Sequence, residues 1–210
     1  SKMIQQLEMS FIRIFNYQKN KNMNLNEYQT RAITTKIYAD EVALSYIALG
    51  LGGEAVELFE KIQQNKDNIC ELTDDQLRLM SKEIGDVYWY LAGLAEELNQ
   101  NLGDVVDRYR KTLPSDVKFD EVVSSLIIKT GAILEIFKKA LRDDYELFQN
   151  KVLTSEKEEK TNQAIADVVS CLEYLAKFFG QEISSILIQN AEKLASRAKR
   201  GTLSGSGDER

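Results

Sequence analysis

Gly53-Glu54-Ala55-Val56-Glu57-Leu58-Phe59-Glu60-Lys61 decides the fold, because its pattern returns later in the chain as Gly131-Ala132-Ile133-Leu134-Glu135-Ile136-Phe137-Lys138-Lys139. Both stretches space their apolar residues three and four apart, the period of a helix with one buried face. A second pair follows in the same order: Glu83-Ile84-Gly85-Asp86-Val87 aligns with Ala164-Ile165-Ala166-Asp167-Val168. Two such matches read as an internal duplication, with chance likeness between amphipathic helices as the alternative.

Working outward, the spacing predicts helices over 25–39 and 42–64, the latter with Leu51, Ala55, Leu58 and Ile62 as its buried stripe. Thr73 with Gln76 has the form of a capping box opening a third helix that runs to about Asn99. A shorter helix is expected over 102–113, and Pro114-Ser115-Asp116 then breaks the pattern. Beyond it come a helix over 119–141, a polar stretch through Glu159, a helix to Phe179 and another to Arg200. The expected organisation is an extension over 1–22, one unit over 23–114, a second over 115–200 and a Gly/Ser-rich tail over 201–210. The single proline and the Leu, Ile, Ala, Glu and Lys content favour an all-α fold.

A formal charge of −6 argues against a generic nucleic-acid surface, which needs clustered cations to displace counterions from phosphates. The chain has no histidine, which excludes His-based acid/base schemes and His-containing zinc sites. Cys70 and Cys171 form no CxxC pair, as expected of a protein in the reducing cytoplasm. No uninterrupted apolar run approaches the roughly 20 residues that span a bilayer, so no membrane partner is expected. Met3, Ile4, Leu7, Phe11, Ile14 and Phe15 suit a short amphipathic helix at the N-terminus.

Glu54 and Glu57 lie three apart on one expected helix, and Glu83 and Asp86 three apart on another. Residues at that spacing share a face, so two packed helices could bring four carboxylates together. Such an oxygen-rich pocket suits a hard cation, Mg²⁺ foremost and Mn²⁺ next. The surroundings are apolar: Asp86 sits in Ile84-Gly85-Asp86-Val87-Tyr88-Trp89-Tyr90-Leu91-Ala92. An unpaired carboxylate buried there costs several kcal/mol, roughly, and calls for a compensating cation. A metal supplies one; a buried salt bridge to Lys or Arg is the alternative. A di-iron bundle would need Glu-x-x-His motifs, which are absent.

ExxE followed after a gap by ExxD resembles the signature of the all-α NTP pyrophosphatases, the MazG-like proteins and the dimeric dUTP and dCTP pyrophosphatases. Glu54, Glu57, Glu83 and Asp86 match all four positions, and Leu25-Asn26-Glu27-Tyr28-Gln29 and Asn190-Ala191-Glu192-Lys193-Leu194 look like the family's opening and closing helices. The resemblance implies tandem MazG-like four-helix units forming an internal pseudo-dimer, and Mg²⁺-dependent hydrolysis of a nucleoside triphosphate to monophosphate and pyrophosphate. It leaves open whether two chains pair further. In the second unit Ala132 and Ala164 replace two ligands, so that unit looks degenerate. The family's Asn-x-x-Lys falls on Tyr109 and Thr112 in the first unit but is kept in the second as Asn190 and Lys193. These complementary losses imply one composite site, with metal ligands from the first unit and nucleotide-binding groups from the second.

Glu57 is the expected general base, since no histidine can serve. Tyr90 matches a family position that contacts substrate. Lys193, Arg197 and Arg200 on the last helix could bind phosphates, although cations there also answer the helix dipole. Tyr28, Tyr46 and Trp89 could stack on a base or fill the core. The tail could close over nucleotide or stay disordered. A non-catalytic nucleotide-binding or regulatory helical module is the rival reading.

Overall fold

A computed structural model describes residues 22–204, so the expected amphipathic N-terminal helix and the last residues of the tail lie outside the described part. Within it the chain is all-helical: α1 Leu25–Ala32, α2 Ala43–Gln64, α3 Asp74–Glu97, α4 Leu102–Tyr109, α5 Phe119–Asp143, α6 Tyr145–Gln149, α7 Ser155–Phe178 and α8 Ile183–Arg200.

α1 ends seven residues before the expected Ala39. The β-branched run Ile33-Thr34-Thr35 disfavours continued helix, and the Thr34 and Thr35 hydroxyls donate instead to the carbonyls of Arg31 and Ala32. One turn of 3₁₀ helix, Ile33–Thr35, is followed by extended backbone at Lys36, which carries Ile37 away from the helix axis. α3 opens as the spacing predicts: the Thr73 side chain accepts from the Gln76 N–H, Gln76 reaches back, and Asp74 and Asp75 favour the positive helix end.

Two other expectations need correction. α4 stops at Tyr109 rather than Leu113, because Arg110 turns to extended backbone and forks onto Glu173 of α7. The polar stretch expected through Glu159 is already helical over its last five residues. α7 starts at Ser155, with Glu156 and Glu158 in its first turn and Lys160 bonded to Glu156 one turn back. Its charge marks a solvated face of a helix. The small α6 was not expected; it seats Phe148 edge-on against Phe137, ring centres 5.7 Å apart.

α2 packs on α3, and α5 packs on α7 in the same way. α2 also packs on α5, through Leu134 laid against Gly52. α4 packs on α7, and α8 packs on α3, so the helix that closes each half crosses to a long helix of the other half of the chain. One continuous core results, running from Tyr28 and Leu51 through Leu91 and Leu126 to Leu172 and Leu187. The stretch Asp40–Gln64 is long and apolar enough to cross a membrane by length and composition, its most apolar 18-residue window having a mean hydropathy of 1.4. Ile47, Leu51, Leu58 and Ile62 on it are nevertheless buried in the protein's own core, as in a central helix of a globular fold.

Candidate functional site

α2 and α3 present the expected carboxylates to one another. Carboxylate oxygens of Glu54, Glu57 and Glu83 all lie within 4.8 Å of one another. Glu83 is almost wholly buried, Glu54 is half-buried and Glu57 is exposed, so the cluster runs from core to solvent. Lys61, one turn beyond Glu57 on α2, sits 3.1 Å from Glu83. Its place on the same helical face as Glu54 and Glu57 is legible in the sequence, but it was not singled out there.

Asp86 falls outside that mutual 4.8 Å set but shares the cleft with Glu54, and it is held from the far end of the chain. The Asn190 side-chain amide donates to Asp86 Oδ1 at 2.7 Å, and the Lys193 ammonium donates to the same oxygen at 2.5 Å. Asn190 is oriented in turn by Tyr28, whose hydroxyl donates to Asn190 Oδ1 at 2.7 Å and lies 3.4 Å from the Gly85 carbonyl oxygen. Tyr28 is fully buried, so of the two roles open to it, base stacking and core, it takes the core one. Burial, with Asp86 next, pushes its phenol well up, so it remains a donor. Gly85 makes the arrangement sterically feasible, since a Cβ there would come within 3.0 Å of Asn190.

The site is charge-crowded. Burial, then Asp86, Glu57 and Glu83, push the Glu54 carboxyl up to about 8, against the opposing pull of Lys193. A carboxylate driven toward neutrality by like neighbours is a group that a cation would return to its charged form. The trio of carboxylates therefore fits a divalent metal. The salt-bridge alternative is realised in part, since Glu83 and Asp86 each carry a lysine.

Beside the carboxylates a cleft of about 450 Å³ opens between α2, α3 and α8, with Glu54 and Asp86 on its floor. Tyr46, Trp89 and Tyr90 form one wall. Trp89 meets Tyr90 edge-on at 4.9 Å, and its indole N–H donates to the Ala32 carbonyl and the Thr35 hydroxyl, which anchors the ring from behind. Tyr90 lies across Gly50, where any Cβ would strike its ring at 2.0 Å. Leu194 and Arg197 supply the opposite wall. Arg200 is exposed on the last turn of α8 and is not among the residues lining the cleft.

Ile37, Leu203 and Ser204 also line the cleft; Ile37 was not foreseen, whereas the other two belong to the tail for which closing over a nucleotide was one of two expectations. Ile37 arrives there because α1 stops early. The other two arrive because Gly201 takes a left-handed conformation, φ 70°, and the Thr202 N–H bonds back to the Arg197 carbonyl at 2.9 Å, turning the chain over the site.

The aligned positions of the second half hold no comparable cluster among the described residues. Glu135 is paired with Lys138 and Lys139 at the surface, and Asp167 with Lys129 at 2.8 Å. Cys171, aligned with Tyr90, is buried, and burial raises its thiol pKa.

No family profile matches the chain, and no solved structure matches it. A protein of Mycobacterium phage L5, named Gene 37 protein, is 35% identical over 102 residues, covering 44% of this chain and 88% of the relative.

Proposed function

We propose an activity for this chain, which belongs to the family of the Mycobacterium phage L5 Gene 37 protein: Mg²⁺-dependent hydrolysis of a nucleoside triphosphate, a dNTP or non-standard NTP, to monophosphate and pyrophosphate. The observation that carries it is the meeting of Asn190 and Lys193 with Asp86 beside the three glutamates, at the foot of an aromatic cleft. Groups kept in different halves of the chain are thereby assembled at one place, as a composite site requires. Glu54, Glu57, Glu83 and Asp86 would hold the ion. Bound Mg²⁺ supplies charge neutralisation on the phosphates and acidifies a water.

The chain's own residues divide the remaining work. Tyr46, Trp89 and Tyr90 offer flat faces to a base, and the Trp89 anchor to Thr35 fixes the angle of its ring. Arg197 faces the cleft and Lys193 its floor, where they meet the charge of a phosphate chain. Glu57, exposed at the edge of the cluster, takes the proton of the attacking water as the bond between the α and β phosphates breaks.

The tandem arrangement belongs to the same reading. α4 on α7 and α8 on α3 exchange in the manner of two subunits, and the match to the phage protein is about as long as one of the two expected units. The free cysteines suit a reducing cytoplasm. A non-catalytic nucleotide-binding module is favoured by one specific feature, the lysine partners of Glu83 and Asp86. A panel of canonical-base and modified NTPs and dNTPs, with Mg²⁺ or EDTA, separates the two readings. Metal-dependent release of monophosphate plus pyrophosphate, lost in Glu57→Ala, is expected; binding without turnover across the panel would establish the module instead.

A further inference from the structure

α3 and α8 run side by side in the same direction, and the cleft occupies only the later half of their seam. The earlier half holds a separate groove of about 300 Å³ between Arg78, Ser81 and Lys82 of α3 and Gln189, Asn190 and Lys193 of α8. Its charged lining is wholly cationic, with no acid among the described residues that form it, in a chain whose net charge is −6. Arg78 is held only loosely by Asp75, 3.7 Å away, and its side chain is 66% exposed, so the guanidinium is free to swing into the groove. Gln189 and Asn190 add amide groups, which can donate where a lysine or arginine does not reach.

The groove is not remote from the carboxylates. Lys193 and Asn190 line it and also bond to Asp86, so the Asp86–Lys193 pair is the partition between the groove and the cleft. An elongated anion lying along the seam would therefore pass from the aromatic cleft over the partition into the cationic groove. Two arginine or lysine heads at either edge of a groove suit a ligand with several phosphoryl oxygens better than a single carboxylate.

We propose that this groove is a diphosphate subsite, in which Arg78 and Lys82 bind the pyrophosphate portion of the ligand while Lys193 bridges it to the metal-binding floor. The assignment rests on the hydrolase reading for its role, but the binding itself does not. It gives the leaving pyrophosphate a cationic seat on the side of Asp86 opposite the base.

The test uses the full chain and inorganic pyrophosphate as the probe, titrated calorimetrically in EDTA so that no metal at the glutamates contributes. Binding should be weakened at least about tenfold in Arg78→Gln/Lys82→Gln, and restored in Arg78→Lys/Lys82→Arg, which keeps both charges and controls for folding. If the substrate's own phosphates use the groove, the glutamine variant raises KM for the NTP with kcat nearly unchanged. If only released product uses it, product inhibition by pyrophosphate relaxes while KM stays. Either result supports the subsite. Absence of pyrophosphate binding in the parent chain, or equal binding by the glutamine variant, overturns it. Loss of binding in the variant of a chain that turns over no NTP would keep the subsite and discard the hydrolase; turnover with unaltered pyrophosphate binding in the variant would do the reverse.

Discussion

Tyr28 shows how a single buried hydroxyl can govern a site it does not line. It fixes which way the Asn190 amide points, because the phenol O–H must be met by Asn190 Oδ1, leaving the NH₂ for Asp86. Tyr28→Phe keeps the ring and its packing but frees the amide to flip. We expect NTP turnover to fall about tenfold, the scale of one lost charge-assisted bond, with little change in the thermal midpoint. Unchanged kcat/KM in that variant would show that Asn190 needs no such guide. Tyr88 makes the contrasting case. It is fully buried and its hydroxyl has no protein partner, so the oxygen is desolvated without return. Tyr88→Phe should be neutral or stabilise the fold by up to about 1–3 kcal/mol, read from urea midpoints. A clear loss of stability would mean that an ordered water satisfies the hydroxyl.

Between elements, the close approach of α3 and α8 is what makes the site composite, and Gly85 is where they approach. Gly85→Ala suits helix propensity, worth roughly 1 kcal/mol in its favour. It also places a methyl within 3.0 Å of Asn190 Cβ and Nδ2, in a contact that packing has already filled. The helices must separate or Asn190 must turn, and overpacking of this kind typically costs about 1–3 kcal/mol. The expected outcome is a protein that folds with little net change in stability but has lost most of its turnover and the Asn190–Asp86 bond. The bond is checked by the Asn190 side-chain amide resonances in NMR. Retained activity in Gly85→Ala would show that this contact is not what positions Asp86.

Across the whole molecule, the two halves are joined by charge as well as by core. Glu97, at the end of α3, receives Lys36 at 2.7 Å from the first half and Lys151 at 2.7 Å from the second, with the Tyr38 hydroxyl at 2.8 Å. Burial alone would raise its carboxyl, but the bonds from Lys151, Lys36 and Tyr38 together hold it below the usual 4.5. A carboxylate whose folded pKa is depressed stabilises the protein fully above its unfolded value and loses that contribution as the pH falls through the folded one. Thermal midpoints should therefore decline as the pH drops below about 4.5, and Glu97→Gln should flatten that decline. At neutral pH the same substitution removes one partner of a buried pair, a loss of about 3–5 kcal/mol when both ions are fully buried and less here, with the lysines about a quarter exposed. A parallel pH profile in Glu97→Gln would assign the acid sensitivity elsewhere. The exchanged helices predict further that fragment 1–114 alone lacks a cooperative thermal transition, because α3 would be stripped of α8 and α4 of α7. A sharp transition for that fragment would contradict a shared core.

Local chemistry determined much of this protein before any packing was known. The helical class, the Thr73 cap, the paired carboxylates on facing stripes and the rings beside them all follow from residue periodicity and from side chains acting within one or two turns. Errors of the same reading lay where local signals conflict: the β-branched run that ends α1 early, and the charged turn that begins α7 within what was expected as a polar stretch through Glu159. Only the tertiary structure decided that Asp86 meets Asn190 and Lys193, that Tyr28 is a buried donor and that Ile37 and Leu203 reach the cleft. Those contacts join residues more than a hundred positions apart, or depend on a chain reversal at Gly201, and helical periodicity says which face of a helix is buried but not which helix covers it.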